Sequence, residues 1–281
     1  MKKVFFYGLL LPLCFSSCDK VKTPYIKGIT GGTDTTVKVR KLLMEEFTGH
    51  KCGSCPPGAQ TIQTLQNQYG DKLIAVSIHA GFYATVTPPI YTEDFQCNEG
   101  DDYNTFFGIS ANPIGMVNRK GYPSSHLKAI GEWSGLVSSI LALPPDASIR
   151  ITNNYNATSR VLNSTVRCEF LNALNGTYKI MLILTEDSII SPQKDYAQTP
   201  TDVLNYVHRH MLRDAISSTS WGDTLKSGLI AAGDTVIKSY IYNLPANFNG
   251  IVPDVNHCHV VAYIYNASNY EVIQAEEKKM K

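Results

Sequence analysis

From residue 39 onward the apolar positions change period along the chain. Residues 41–47 and 73–78 are short, nearly continuous apolar runs, and 55–69 between them has the length and texture of a helix. A further short strand is expected at 114–117. After it, Leu127, Ile130, Trp133, Val137, Ile140 and Leu141 fall on one helical face. Apolar strands beside helices are what a parallel α/β sheet requires, because helices cover both its faces. The pattern stops at Leu143-Pro144-Pro145-Asp146, where paired prolines end a helix and suit a domain boundary. Beyond them the texture is all-β, with strand-length segments at 148–153, 160–170, 178–185, 235–242, 258–265 and 270–274. Asn175-Gly176 is a hairpin signal. Residues 202–217 fit an inserted helix and a strand about equally well. The expected organisation is an α/β domain over 38–143 followed by an immunoglobulin-like sandwich over 146–277.

The first residues are of another kind. Lys2 and Lys3 precede an apolar run over 4–15, too short to span a bilayer and suited to a signal peptide. The run ends at Phe15-Ser16-Ser17-Cys18, which resembles a relaxed lipobox with Phe15 where leucine is commoner. The expectation is a cleavable lipoprotein signal over 1–17 and a membrane-anchoring lipid on Cys18; the alternative is an ordinary secretory signal with an incidental cysteine. Residues 18–37, polar and with Gly31-Gly32, read as a flexible tether. Loss of Lys2 and Lys3 takes the net charge of +1 slightly below zero, which argues against a nucleic-acid partner. Export places Cys52, Cys55, Cys97, Cys168 and Cys258 in an oxidising compartment, and their odd number leaves at least one unpaired.

The chemistry concentrates at Glu45-Glu46-Phe47-Thr48-Gly49-His50-Lys51-Cys52-Gly53-Ser54-Cys55, a strand leading into a CxxC at the start of a helix. No second CxxC or Cys/His pair completes a zinc site, and no metal or cofactor is expected. At this spacing the sulfurs can close a disulfide. Free amides and the helix dipole favour a thiolate at Cys52, the nucleophile, and Cys55 would resolve the mixed disulfide. Pro56 and Pro57 donate no hydrogen bond and fit only as early helical positions, so Ser54 is the expected N-cap, with Cys55, Pro56 and Pro57 the first three helical residues. The prolines also remove two amides that could stabilise a thiolate. His79 ends a strand at the carboxyl edge of the sheet, where it either influences the thiolate or caps the strand.

This stretch resembles the thioredoxin superfamily. The resemblance implies that Glu46, six residues before Cys52, is the buried carboxylate that passes a proton to the resolving thiol; an exposed strand glutamate is the alternative. It also implies that Pro113, in Gly108-Ile109-Ser110-Ala111-Asn112-Pro113-Ile114, is the cis-proline that aligns substrate backbone, with a trans edge-strand proline as the alternative. Departures are Lys51 for the usual tryptophan, Asn112 for an apolar residue or threonine, and a long insertion at 80–107 carrying Cys97. The whole arrangement resembles the 28-kilodalton outer-membrane-protein related lipoproteins of Gram-negative anaerobes, most specifically over 44–81 and in texture beyond. That resemblance implies an outer-membrane lipoprotein of the cell envelope, on the periplasmic face or the surface, and no particular substrate.

Two functions follow. One is a tethered thiol–disulfide oxidoreductase acting on exported thiol or disulfide proteins or on a membrane redox partner. The other is a non-enzymatic binding lipoprotein whose CxxC is a staple. Cys168 and Cys258 sit like the B and F strand cysteines of an immunoglobulin sandwich and are candidates for a structural disulfide, or else are two separate buried thiols. Cys97 is then unpaired, as a third redox cysteine or an inert one. His208-x-His210 and His257-Cys258-His259 are read as exposed strand histidines.

Overall fold

Strand β1 (Leu42–Thr48) is buried at every position, which explains its unbroken apolar texture. Leu42 and Met44 face a core shared with Ile62 and Leu65 of helix α1 (Pro56–Tyr69) and with Trp133, Val137 and Ile140 of helix α3 (Ile130–Leu141). Leu43 and Phe47 face the opposite core. Strand β2 (Leu73–His79) pairs parallel with β1, from Leu42 beside Leu73 to Thr48 beside His79. Strand β3 (Ile114–Val117) pairs antiparallel on its other side, Phe47 beside Ile114. Helix α2 (Asn98–Phe106) lies in the insertion between β2 and β3. The computed structural model describes residues 37–281. The signal peptide, Cys18 and the tether up to residue 36 lie outside the described residues.

The remaining strands are β4 (Ala147–Asn156), β5 (Val161–Phe170), β6 (Leu174–Glu186), β7 (Ile189–Lys194), β8 (Asp202–His208), β9 (Met211–Ala215), β10 (Asp223–Ile230), β11 (Thr235–Asn243), β12 (Cys258–Asn266) and β13 (Val272–Lys279). They do not build a separate immunoglobulin-like sandwich. A mixed sheet runs in the order β13-β12-β6-β9-β2-β1-β3, with β10 also on β6. The junction is β9, whose Met211 is the partner of Ser77 in β2 and whose other edge pairs with β6. Residues 38–281 accordingly form one compact unit. The reason lies in β6. Ile180, Leu182 and Leu184 face the core against the three-stranded sheet β11-β5-β4, while Met181 and Ile183 face the core they share with Phe47 and Val76. A strand apolar on both faces belongs inside a layered structure.

Two local expectations are corrected. Asn175-Gly176 is no turn: both residues lie within β6, where Gly176, at φ +120°, pairs with Gly228 of β10. Residues 202–217 hold two strands, β8 and β9, divided at His210, whose φ is +53°. Among the described residues no helix is long and apolar enough to cross a membrane.

On the face of β1 away from α1, Glu45 accepts two hydrogen bonds from the Arg119 guanidinium, at 2.9 and 2.6 Å. Both side chains are almost fully buried. Arg119 also donates to the Tyr263 hydroxyl and lies against the rings of Tyr103, Phe107 and Tyr263. This ion pair ties β1 to β12 across the sequence boundary at the paired prolines.

Candidate functional site

Cys52 and Cys55 form a disulfide. Their turn is closed by the Cys55 amide donating to Cys52 O at 3.2 Å, and the turn before it by the Cys52 amide donating to Gly49 O at 2.9 Å. The N-cap of α1 is Cys55 and not Ser54, with Pro56 and Pro57 as its first two positions. Since neither proline can donate, the first available amide is that of Gly58, which reaches Cys55 O at 2.8 Å and shifts the cap one residue on. The Ser54 hydroxyl instead lies 3.6 Å from Cys52 Sγ.

The bond is not at the surface, as Cys52 is 1% and Cys55 2% exposed. A hairpin of β7 and β8 lies over it. The Lys194 amide donates to His50 O at 2.8 Å, and the Tyr196 amide to Gly53 O at 2.9 Å. The Gln193 side-chain amide donates to Gly49 O and Cys52 O at 3.3 and 3.0 Å. The Tyr196 ring lies so close to Gly53 that a Cβ there would come within 2.5 Å of it. The insertion grips this hairpin in turn: the Tyr91 hydroxyl donates to Asp202, and that of Ser191 to Glu93 at 3.1 Å.

Between α1 and the hairpin is a cavity of about 610 Å³. Buried Glu46, Cys55, Ser77, His79 and His208 line its depth, while the more exposed Gln60, Ala197 and Arg209 line its mouth. Cys52 is not among its walls. Glu46 Oε1 has no hydrogen-bond partner, and Oε2 accepts from the Ser77 hydroxyl at 3.5 Å. Burial pushes the Glu46 pKa up to about 8, so the carboxyl is mainly protonated at neutral pH. Glycine at residue 58 leaves room for it beneath α1, since a Cβ there would lie 2.2 Å from Oε1 and the carboxyl would have to shift.

His79 is the last residue of β2 and is buried. Its ring meets Phe95 and His208 with centroids 5.3 Å from each, and His50 at 6.5 Å. Burial, then the neighbouring imidazoles, lower its pKa well below the usual value, and burial lowers that of His208 to about 4. The cluster is therefore neutral at pH 7. His79 Nδ1 and His208 Nε2 have no partner. Pro113 follows a cis peptide bond one residue beyond the Phe47–Ile114 pair, and Asn112 donates to Thr48 O at 3.3 Å. Sequence reasoning thus locates Cys55, Glu46 and His79, which share one cavity, but misses His50, His208 and Gln193. The only available signal was the alternation His208-x-His210.

A family model described as "Outer membrane protein Omp28" matches residues 100–281, more than half of the chain. The chain belongs to the Omp28 family. Membership places this Omp28 protein in the cell envelope. No curated protein matches the sequence. Among solved structures it is similar to HBP35 of Porphyromonas gingivalis, with TM-score 0.62 at 17% identity over 87% of this chain and 76% of that one. At that identity the likeness is one of fold. A domain of the outer membrane lipoprotein Omp28 from Porphyromonas gingivalis aligns over 49% of this chain and 89% of that one, at 17% identity and TM-score 0.33. A protein from Agrobacterium tumefaciens aligns over 88% and 97%, at 15% and 0.49. The Omp28 match begins after the CxxC, so that motif lies outside it and β7 and β8, which cover the motif, lie inside.

The other cysteines of this Omp28 chain stand apart from the site. Cys168 and Cys258 are fully buried free thiols on β5 and β12, and the candidate structural disulfide between them is not formed. Burial pushes each thiol up to about 12. Cys97 precedes α2, its Sγ facing Leu212 O at 4.0 Å, and burial raises it likewise to about 12. His208 turns inward, whereas His210 and His259 both approach Asp187, at 3.3 and 3.6 Å. Among the described residues no group of three or more His, Cys, Asp or Glu side chains is placed to hold a metal ion.

Proposed function

We propose that this Omp28-family protein is a thiol–disulfide oxidoreductase of the cell envelope, tethered by a lipid on Cys18, with Cys52–Cys55 as its redox couple. The observation that carries the reading is a disulfide whose Cys55 lines a cavity together with a mainly protonated carboxyl, Glu46, one oxygen of which has no partner. A purely structural bond needs no such neighbour, and a neutral acid buried with one oxygen unpartnered is costly enough to call for a role. In thiol–disulfide exchange a sulfur leaves as a thiolate, and Glu46 can supply its proton. The order β1-α1-β2, then β3 preceded by cis-Pro113, then α3, supports reading residues 38–143 as a thioredoxin-like segment.

The deciding measurement is the reduction potential of the bond, by equilibration of the full chain against glutathione with thiol trapping and peptide assignment. A value between about −120 and −270 mV is expected for a working couple. A bond below about −300 mV that glutathione leaves intact would make it a staple and favour the binding-protein reading.

A further inference from the structure

We infer that the Cys52–Cys55 bond is opened from its Cys55 side, by a low-molecular-weight thiol entering the cavity between α1 and the β7–β8 hairpin. The inference rests on the oxidoreductase reading and names its co-substrate class.

Three observations carry it. First, the approach to Cys52 is occupied. Gln193 and the Lys194 and Tyr196 amides bind the backbone of residues 49–53, and the Tyr196 ring covers Gly53. A partner protein would have to remove a strand pair that is also fastened to Tyr91 and Glu93. Second, Cys55 lines the cavity and Cys52 does not, so a molecule that fits inside meets one sulfur of the two. Third, at about 610 Å³ the cavity is in the range that takes small ligands, and its walls suit a polar one. Gln60, Gln63 and Gln66 line one side, Asp195 and Arg209 bring charges of both signs, and three buried polar atoms, Glu46 Oε1, His79 Nδ1 and His208 Nε2, belong to lining residues and have no partner. Those features fit an amino-acid-like thiol carrying an ammonium and a carboxylate.

The exchange balances without another reactant. The thiolate of the first small molecule attacks Cys55 Sγ. A bond forms between those sulfurs, the Cys52–Cys55 bond breaks, and Cys52 leaves with the electron pair beside the Ser54 hydroxyl. A second small thiolate attacks the outer sulfur of the mixed disulfide. The small disulfide departs, and Cys55 leaves as a thiolate that takes the proton of Glu46. The protons lost by the two small thiols restore Glu46 and protonate Cys52. Two thiols are oxidised to one disulfide and the protein disulfide is reduced to a dithiol.

The test uses L-cysteine as the small thiol and reduced thioredoxin as the protein thiol on the full oxidised chain, with reduction followed by trapping and peptide mass. L-cysteine is expected to reduce the bond faster than thioredoxin, and Gln60→Trp at the cavity mouth to slow L-cysteine about tenfold or more while leaving reduction in denaturant unchanged. Native Cys52→Ser protein exposed to cystine should carry the adduct on Cys55, and native Cys55→Ser protein should carry none on Cys52. An adduct on Cys52 alone, faster reduction by thioredoxin, or no effect of Gln60→Trp would overturn the inference and keep the oxidoreductase. A bond that neither reagent opens in the native protein would overturn both.

Discussion

Consecutive strand residues point to opposite faces, and β1 applies this to two neighbouring carboxyls. Glu45 faces Arg119 and is held by two hydrogen bonds in a nest of aromatic rings; Glu46 faces α1 and has a weak contact to Ser77. Removing Arg119 strands a buried charge, so Arg119→Ala is expected to lower stability by about 3–5 kcal/mol in urea unfolding. For Glu46 the sign runs with pH. The unfolded carboxyl ionises near 4.5 and the folded one only near 8, so between those values the unfolded state binds fewer protons and stability falls as pH rises. The slope reaches up to about 1.4 kcal/mol per pH unit. Glu46→Gln should flatten it, gaining stability relative to the parent at pH 8 over pH 4.5; an unchanged slope would assign the pH dependence to other groups. By residue type and burial pattern alone the two glutamates look alike, although the thioredoxin resemblance singles out Glu46. The pairing of β1 with β3, which leads the chain to Arg119, separates them.

At the scale of elements, the hairpin of β7 and β8 decides what the disulfide can meet. Gln193 is its clamp, donating to Gly49, Cys52 and its neighbour Lys194. Gln193→Ala removes these side-chain hydrogen bonds, while Gly49 O and Cys52 O keep the Cys52 and Cys55 amides, at a cost of about 0.5–1.5 kcal/mol. The expected result is faster reduction of the bond by a small phosphine in the native state and new labelling at Cys52, with no change in denaturant. Equal native rates would mean that the hairpin does not control access. The strands β1, β2 and β3 and the helices α1 and α3 were legible in the sequence because each keeps one period to its end. β7 was not: it is six residues long, is interrupted by Pro192 and is bulged between Ser191 and Gln193. Its docking on residues 49–53 uses one glutamine side chain and the Lys194 and Tyr196 amides, which no side-chain pattern encodes.

For the whole molecule, the paired prolines at 144–145 look like a boundary and the sheet ignores them. β9 stands between β2 and β6, Arg40 donates to Pro144 O and approaches Ile273 O, and the Val272 amide reaches Asn118 O. Residues 38–281 are expected to unfold in one transition. Trp133 lies against α1 and Trp221 against Tyr103 and Phe106, so Trp133→Phe and Trp221→Phe each leave one fluorescent reporter. Both reporters should share a midpoint with far-UV circular dichroism; separated midpoints would restore two domains. The sequence shows a change of texture at the prolines, and texture reports which elements form, not which edges meet. The hairpin also dates the disulfide. Its strands lie some 140 residues after Cys52, so a chain emerging from its N-terminus displays Cys52 and Cys55 long before their cover exists. With two residues between them the two thiols close the shortest loop available, ahead of Cys97 and before Cys168 or Cys258 has arrived. Order of appearance protects the pairing, whereas a reduced chain refolding in air offers Cys52, Cys55, Cys97, Cys168 and Cys258 at once.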